Sequence, residues 1–560
     1  MNKKNIVFLT LIVIIASILR LWQLGKVPSS PDWDEVALGY NAYSIIETGR
    51  DEYGKFMPLL LRSFDDYKPA LYTYFSIPFI SILGLNIFAV RLPSAIFGIL
   101  TVVVTYFLVR ELFKDSRFKL EVGNWKLEIP EVTSLLLAIS PWHIQFSRIA
   151  FESNVAMGLN AISILLFLKS FKRPFLLLFA AISMGVSFYM YQSEKVFVPL
   201  LLIILILVFR KELFMIPKKY KVASVAIIFF IAIPMIYYTL TNSDALARAK
   251  GVSIFSDLTP FLKRNVEKLI EDNNNKDYLG LFLDNRRIEF AKSVVSGYIS
   301  HFDLNWLFVT GDIERHHAPN MGLLYLWELP FLLIGMYSLL FGPFDKKIKI
   351  FIISWFLIVP IPASVTSGVP HAVRALNFLP IFQIFTAIGV ISFVVFMSNV
   401  KYKIANIRIE YLIFYMYILF LTFNILYYLN QYFIQQNYFY SQAWQYGYKD
   451  AIDYLNENQD KYDKIIVSNQ PHLDQSYMFF LFYLKYPPSL YQIEAKNSSG
   501  GFRENHKFGK FEFRPIVWDN EIKRSDILYV GRPQDFTGGV EAIKTINFLN
   551  GKPAILIVTG

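Results

Sequence analysis

No cysteine occurs among the 560 residues. Disulfides, thiolate metal sites, iron–sulfur clusters and cysteine nucleophiles are therefore excluded, even in a part that faces an oxidising compartment. The sequence also has no GxxxxGK[ST] loop, no GxGxxG after a strand and no GxSxG elbow, which leaves nucleotide binding and serine-hydrolase chemistry without positive support. Internal repeats and low-complexity tracts are missing too. Acids are almost absent from the interiors of the long apolar runs, and that scarcity makes the acids between the runs worth attention.

What is abundant is apolar surface: 54% of residues are hydrophobic and 17% aromatic. Runs long enough to span a bilayer as helices lie at about 5–22, 92–112, 131–147, 154–171, 174–191, 196–210, 221–240, 323–341, 349–366, 377–397 and 410–430. The first begins with lysines like a signal peptide but lacks a small-x-small cleavage site and runs into Arg20 and Trp22, so it reads as a retained helix. The expectation is a polytopic α-helical membrane protein with about 11 transmembrane helices in residues 1–430. Residues 431–560 change character: "AIDYLNENQDKY" reads as an amphipathic helix, and "KIIVSN", "DILYVG" and "AILIVTG" as short apolar strands. They predict a small soluble α/β domain.

The net charge of +11 sits largely in short loops, as expected when cytoplasmic loops collect lysine and arginine. If "ALYTYFSIPFISILGL" (70–85) lies along the surface as a juxtamembrane helix, then "RELFKDSRFKLEVGNWK", "KSFKRP", "RKELFMIPKKYK", "DKKIK" and "KYKIANIR" all fall inside. The N-terminus is then cytoplasmic. The first loop (23–91), the loop 241–322 and the C-terminal domain fall outside. No nucleic-acid partner is needed to explain the basic balance.

The unexplained charges gather on that outer side. "SSPDWDEVALGYNAY" places Asp34 and Glu35 just after the first run, with Asp32 as a solvated loop residue or helix cap. "SFDDYKPALY" adds Asp66 and Lys68, the lysine directly before a proline that can open a helix. Arg91, before a proline in "AVRLPSAIFG", suits either a snorkelling anchor or a partner for a lipid phosphate, whose oxygens match the guanidinium fork. His143, Arg148 and Glu152 bracket one outer turn, and Glu194 with Lys195 another. His371 and Arg374, at a helix start, suit an anionic headgroup. His316 and His317, with Asp66 or Glu314, form at most a weak metal signal, because adjacent histidines lack the i, i+4 spacing of a zinc helix.

The order of these motifs, "DE" after the first run, "KP", "RLPSA" and then "SR" with a following glutamate, resembles the GT-C membrane glycosyltransferases. Within them the chain is similar to the dolichyl-phosphate-mannose protein O-mannosyltransferases of bacteria and archaea and to the aminoarabinose transferases of lipid A. The resemblance is strongest over residues 1–200, extends through "LLYLWELPFLLIGM" and "HAVRALNFLPIF" to about 390, and is faint beyond. It implies an inverting transferase that moves mannose or a related sugar from a polyprenyl-phosphate donor to a hydroxyl of protein, lipid or glycan, at the outer face of the cell envelope. It implies Asp34 as general base with Glu35 beside it, Lys68, Arg91 and Arg374 at the donor phosphate, and Asp66, Arg148, Glu152, Glu194 and His371 as possible substrate contacts. No cofactor is required. A divalent metal has only weak support, since Tyr67 stands where aminoarabinose transferases have an acid directly before the lysine, with Asp66 one residue earlier. The 241–322 loop is too short for the folded insert of eukaryotic mannosyltransferases. A flippase of lipid-linked sugars and an inactive scaffold of the same family are the alternatives. The first is disfavoured by the lack of ionisable residues at mid-span.

Overall fold

In the computed structural model the described residues are 3–64, 66–114, 119–122, 125–242, 251, 253–254, 259–399, 403–404, 407–494 and 504–560. Helix occupies each of the eleven apolar stretches, but their lengths differ. Among the described residues six are long and apolar enough to cross a membrane: Lys3–Leu21, Ile87–Leu112, Glu152–Ser170, Lys218–Thr241, Lys346–Ser364 and Leu376–Met397. Ile129–Ile139, Leu176–Phe188 and Glu328–Phe341 are shorter, so the sequence count of eleven spans is not reached by helix length. One cause is local. The stretch 131–147 is split where Ser140 leaves helical geometry and caps the next helix, Pro141–Ser147. The helix Leu71–Leu83 has 13 residues, a rise of about 20 Å against a hydrocarbon core of about 30 Å.

Packing distinguishes buried helices from flanking ones. Glu328–Phe341 and Ile381–Asn399 cross backbone to backbone: a Cβ at Gly335 would lie 1.8 Å from the Phe385 carbonyl oxygen, and one at Gly389 1.8 Å from that of Phe331. Only glycine permits this approach, the usual device where helices meet without a hydrophobic drive between them. Lys218–Thr241 lies at the periphery and exposes Phe229, Phe230, Tyr237 and Leu240, an apolar flank suited to lipid.

The two ends of the bundle differ in charge chemistry. Ile87–Leu112 runs from Arg91 at one end to Glu111 at the other, and Glu152–Ser170 runs parallel to that division from Glu152 to Lys169. At the Glu111 end the basic loops meet around a cavity of about 340 Å³, where Lys172 pairs with Glu111 at 3.7 Å and Lys347 with Glu212. The opposite end carries the first long loop. There the helix Trp33–Thr48 lies against Leu71–Leu83 and Ile87–Leu112, followed by a hairpin in which Leu60–Ser63 pairs antiparallel with Asp66–Pro69. Lys68 and Pro69 thus end a strand, and the helix opens two residues later than the "KP" reading expects. The hairpin pairing takes up the backbone that a helix start would have used.

The C-terminal part holds a six-stranded sheet in the order Lys544–Asn547, Pro553–Thr559, Ile527–Gly531, Lys464–Val467, Phe511–Phe513, His506–Phe508. Lys464–Val467 is the parallel neighbour of both Ile527–Gly531 and Phe511–Phe513; the other pairings are antiparallel. The three strands and the helix expected from sequence are all present. Two helices of this part, Ser476–Leu484 and Pro488–Glu494, pack on Trp33–Thr48. Gln492 fastens the contact, donating to Ser44 Oγ at 3.1 Å, Thr48 Oγ1 at 2.9 Å and the Asp51 carbonyl at 3.0 Å.

Candidate active site

The "DWDE" stretch folds as a helix start that sorts its acids. Asp32 is the N-cap: its Oδ1 accepts from the backbone N–H of Asp34 at 2.8 Å and of Glu35 at 3.0 Å, while Glu35 Oε2 accepts from the Asp32 N–H at 3.3 Å. This reciprocal capping box satisfies the orphan donors of the first turn. It also fixes which way each acid faces. Glu35 turns inward, Asp34 outward, and Asp32 lies between them.

Inward, Glu35 meets Arg91. The guanidinium donates from Nε to Oε1 and from Nη2 to Oε2, each at 2.8 Å. Its remaining donors go to the carbonyls of Leu24 and Pro28, both at 3.1 Å from Nη1, and of Ser30 at 3.0 Å from Nη2. Glu35 Oε1 accepts from the Ala150 N–H as well, at 3.0 Å. Both side chains are fully buried and all five N–H donors of Arg91 are engaged, so the pair staples the loop rather than opening to a ligand.

Outward, Asp34 makes an ion pair with Lys68, which reaches across from the hairpin strand. The two stand in a cleft of about 180 Å³ together with Glu152, Arg315, His316 and His371. Asp34 keeps about a third of its side chain exposed (35%), against 10% for Lys68. Arg315 donates to Asp32 Oδ2 at 3.0 Å and lays its guanidinium over the Trp33 ring at 4.3 Å. Burial pushes the Asp32 carboxyl up to about 6; Arg315 opposes the shift and the neighbouring Asp34 and Glu35 add to it. Asp32 is thus a cap, as one sequence reading had it, but a buried one. On the far wall Gln192 donates to the Tyr67 carbonyl at 2.9 Å and so ties the Glu194 turn to the hairpin.

One cluster in the cleft fits a metal ion. Asp312, His316 and His371 each present a ligand atom within 4.8 Å of the others. Burial would raise the Asp312 carboxyl, but the hydrogen bond with His316 and the His316 and His371 rings bring it down to about 2, so it is ionised at neutral pH.

The remaining sequence candidates stand apart from the cleft or behind it. Arg148 is buried, donating to the carbonyls of Leu19 at 2.9 Å and Val27 at 3.1 Å, with its guanidinium over the Phe433 ring at 4.8 Å. Glu194 is buried between helices, accepting from Asn160 at 2.8 Å and Asn377 at 2.7 Å. Arg374 turns back on its own loop, donating to Thr366 Oγ1 and to the Ser367 carbonyl at 2.9 Å. His317 faces away from His316, with Nδ1 2.8 Å from the Ala318 oxygen and 3.0 Å from that of Met321. The side chain of Asp66 lies outside the described residues. Sequence reasoning missed Arg315 and Asp312, both inside "GDIERHH"; the i, i+4 spacing of Asp312 and His316 was the available signal.

With this geometry in view, residues 67–238 match the family model described as dolichyl-phosphate-mannose-protein mannosyltransferase. Among solved structures, ArnT from Cupriavidus metallidurans in the apo state superposes with a TM-score of 0.52 at 12% identity, over 99% of this chain and 98% of that one. The chain has the GT-C fold. This GT-C chain also matches ArnT bound to undecaprenyl phosphate, with a TM-score of 0.51 at 12% identity over 99% and 97% of the two chains. The archaeal oligosaccharyltransferase AglB from Archaeoglobus fulgidus, solved with an inhibitory peptide and a dolichol-phosphate, matches with a TM-score of 0.50 at 12% identity. That match takes in 86% of the GT-C chain but only 63% of AglB. No curated protein sequence matches. The family match includes Lys68, Arg91, Arg148, Glu152 and Glu194; Asp34, Glu35 and Arg315 lie outside it.

Proposed function

We propose that the chain is an inverting glycosyltransferase that takes a sugar, mannose or a relative, from a polyprenyl-phosphate donor and passes it to an acceptor hydroxyl. The observation that carries this reading is the Asp34–Lys68 ion pair, set in a cleft at the end of the bundle away from the basic loops. With the basic loops on the cytoplasmic side, that cleft opens at the outer face. The ArnT and AglB structures described above, which hold undecaprenyl phosphate and dolichol-phosphate, supply the donor class by analogy of fold.

The chemistry follows from the charges. A donor phosphate entering the cleft competes with Asp34 for Lys68 and meets Arg315 across the Trp33 ring. Asp34, relieved of its partner, takes the proton of the acceptor hydroxyl. The acceptor oxygen then bonds to the anomeric carbon as the bond from that carbon to the phosphate oxygen breaks. The charge gathers on the departing lipid phosphate, where fixed cations contribute most. Glu35 and Arg91 act one step back, by holding the helix start that aims Asp34.

Protein purified in detergent and supplied with polyprenyl-phosphate mannose should release polyprenyl phosphate. The Asp34→Asn variant should lose roughly 10²- to 10⁴-fold in turnover with donor binding retained. Release unchanged in that variant overturns the assignment of the base.

A further inference from the structure

The cavity at the basic-loop end of the bundle, about 340 Å³, falls in the range of about 300–1,000 Å³ usual for small-ligand sites. Three of the helices long enough to cross a membrane meet at it: Ile87–Leu112 and Glu152–Ser170 end there, and Lys346–Ser364 begins there. Helices of that kind end where the hydrocarbon gives way to lipid headgroups, which sets the depth of the cavity. Its buried wall is aromatic, with Phe113 against Phe344 at 5.6 Å between ring centroids and Phe171 against Phe209 at 5.8 Å. The charged wall carries both signs. Glu111 accepts from Lys114 at 3.4 Å, Glu212 pairs with Lys347, and Asp345 caps the helix Lys346–Ile358 by accepting from the N–H groups of Lys347 at 2.8 Å and Ile348 at 3.3 Å. Beside it stand exposed apolar side chains: Phe214 and Met215 on the short helix Arg210–Met215 that also carries Glu212, and Phe341 two residues before Pro343.

We propose that this cavity binds the headgroup of a zwitterionic aminophospholipid, with the ammonium on Glu212 and the phosphate at Lys347 and Lys114. This goes beyond the glycosyltransfer reading and does not depend on it. Three acids, Glu111, Glu212 and Asp345, and two lysines, Lys114 and Lys347, line the space, so a purely anionic headgroup meets like charge while a zwitterion matches both signs. The aromatic wall and the negative ends of the two helices that stop there both favour a cation. Burial would raise the Glu212 carboxyl, but the hydrogen bond from Lys347 holds it below the usual range, so it is charged at neutral pH. That lysine binds Oε1, whereas Oε2 is closed off from water and has no hydrogen-bond partner. The carboxylate therefore has unspent acceptor capacity. Lys347, with 40% of its side chain exposed, can swing to the ligand's phosphate as the ligand's ammonium takes its place on Glu212. The exchange keeps every charge paired. Phe214, Met215 and Phe341 then lie where the acyl chains leave the headgroup, which is why the occupant is a lipid. With the basic loops inside, the lipid belongs to the cytoplasmic leaflet.

The full-length protein, delipidated in detergent, is titrated with dioleoyl phosphatidylethanolamine and, separately, with dioleoyl phosphatidylglycerol, and bound lipid is counted by native mass spectrometry. Phosphatidylethanolamine should bind more tightly by roughly tenfold, the worth of about one charge-assisted hydrogen bond. Glu212→Gln should remove that preference. Phe230→Leu, on the exposed apolar flank of Lys218–Thr241, should leave it unchanged. Wild-type protein that binds phosphatidylglycerol equally well overturns the proposal with no variant needed. So does a Glu212→Gln protein, shown by gel filtration to be monodisperse, that keeps the full preference. Soluble glycerophosphoethanolamine that competes as well as the lipid, mole for mole, overturns the lipid as the source of the headgroup. None of these measurements involves sugar transfer, so the base assignment stands or falls separately on the Asp34→Asn turnover.

Discussion

Glu35 and Arg91 meet through two parallel hydrogen bonds of 2.8 Å, with both side chains closed off from solvent. Three backbone carbonyls complete the arginine's shell, those of Leu24, Pro28 and Ser30, so one guanidinium gathers the whole descent from the first helix to the start of Trp33–Thr48. Neighbours in sequence, Glu35 and Asp34 have divided the work: one is spent on shape and the other faces the cleft.

The first prediction concerns that division. A lysine at position 91 can reach Glu35 but cannot serve the other acceptors with its flexible single ammonium. Breaking one side of a buried pair typically costs roughly 3–5 kcal/mol, since the partner stays buried and charged. Arg91→Lys and Glu35→Gln should both lower the unfolding temperature in detergent sharply and reduce the yield of folded protein. An Arg91→Lys protein of normal stability with a raised KM for the donor would instead restore the phosphate-binding role that the sequence suggested.

How far the sequence could be read divides along the same line. Helices at the eleven apolar stretches and the strands "KIIVSN", "DILYVG" and "AILIVTG" were legible because periodicity and run length are local properties. Lys68 was legible as a candidate, but its ion pair with Asp34 was not, because Lys68 arrives on a hairpin strand whose register depends on tertiary packing. The carbonyl cradle of Arg91 was hidden for the same reason: backbone acceptors leave no trace in residue identity. The sequences His506–Phe508 and Phe511–Phe513 form strands of 3 residues each, too short for alternation to register. Arg315 was passed over as one more loop charge, and only the fold brings it to Asp32 and Trp33.

Asp32 makes the second prediction, a dependence on pH. Its carboxyl is raised by burial from 3.8 to about 6, so between those values the folded protein keeps a proton that the unfolded chain releases. Stability therefore falls as pH rises from about 4 to about 6 and is flat above, the reverse of an acid whose pKa folding lowers. Asparagine caps a helix as well as aspartate does and does not titrate. The unfolding temperature of Asp32→Asn minus that of the wild type should climb across this window and then level off. A difference that is constant from about pH 4 to pH 7 would show that Arg315 holds Asp32 ionised throughout.

The third prediction tests whether the C-terminal part aims Asp34, the proposed base. Gly39 lies five residues beyond Asp34 on the same helix, a rise of about 7.5 Å. A Cβ there would stand 2.6 Å from Val90 Cγ2 on one side and 2.7 Å from Phe482 Cε2 on the other. The helix is thus clamped between Ile87–Leu112 and the C-terminal helix Ser476–Leu484, and neither clamping residue lines the cleft. Gly39→Ala should force the clamp apart and tilt the helix that carries Asp34. A displacement on the order of 1 Å at a reacting group can cost about a hundredfold in rate. Turnover should fall by up to that factor in Gly39→Ala and recover when Val90→Ala and Phe482→Leu are added to make room for the methyl group. Recovery by cavity alone is what a defect in alignment requires, because no group that touches substrate has been restored. Wild-type turnover in Gly39→Ala would mean that the helix start is held by its own cap and the Glu35–Arg91 pair, without help from the C-terminal part.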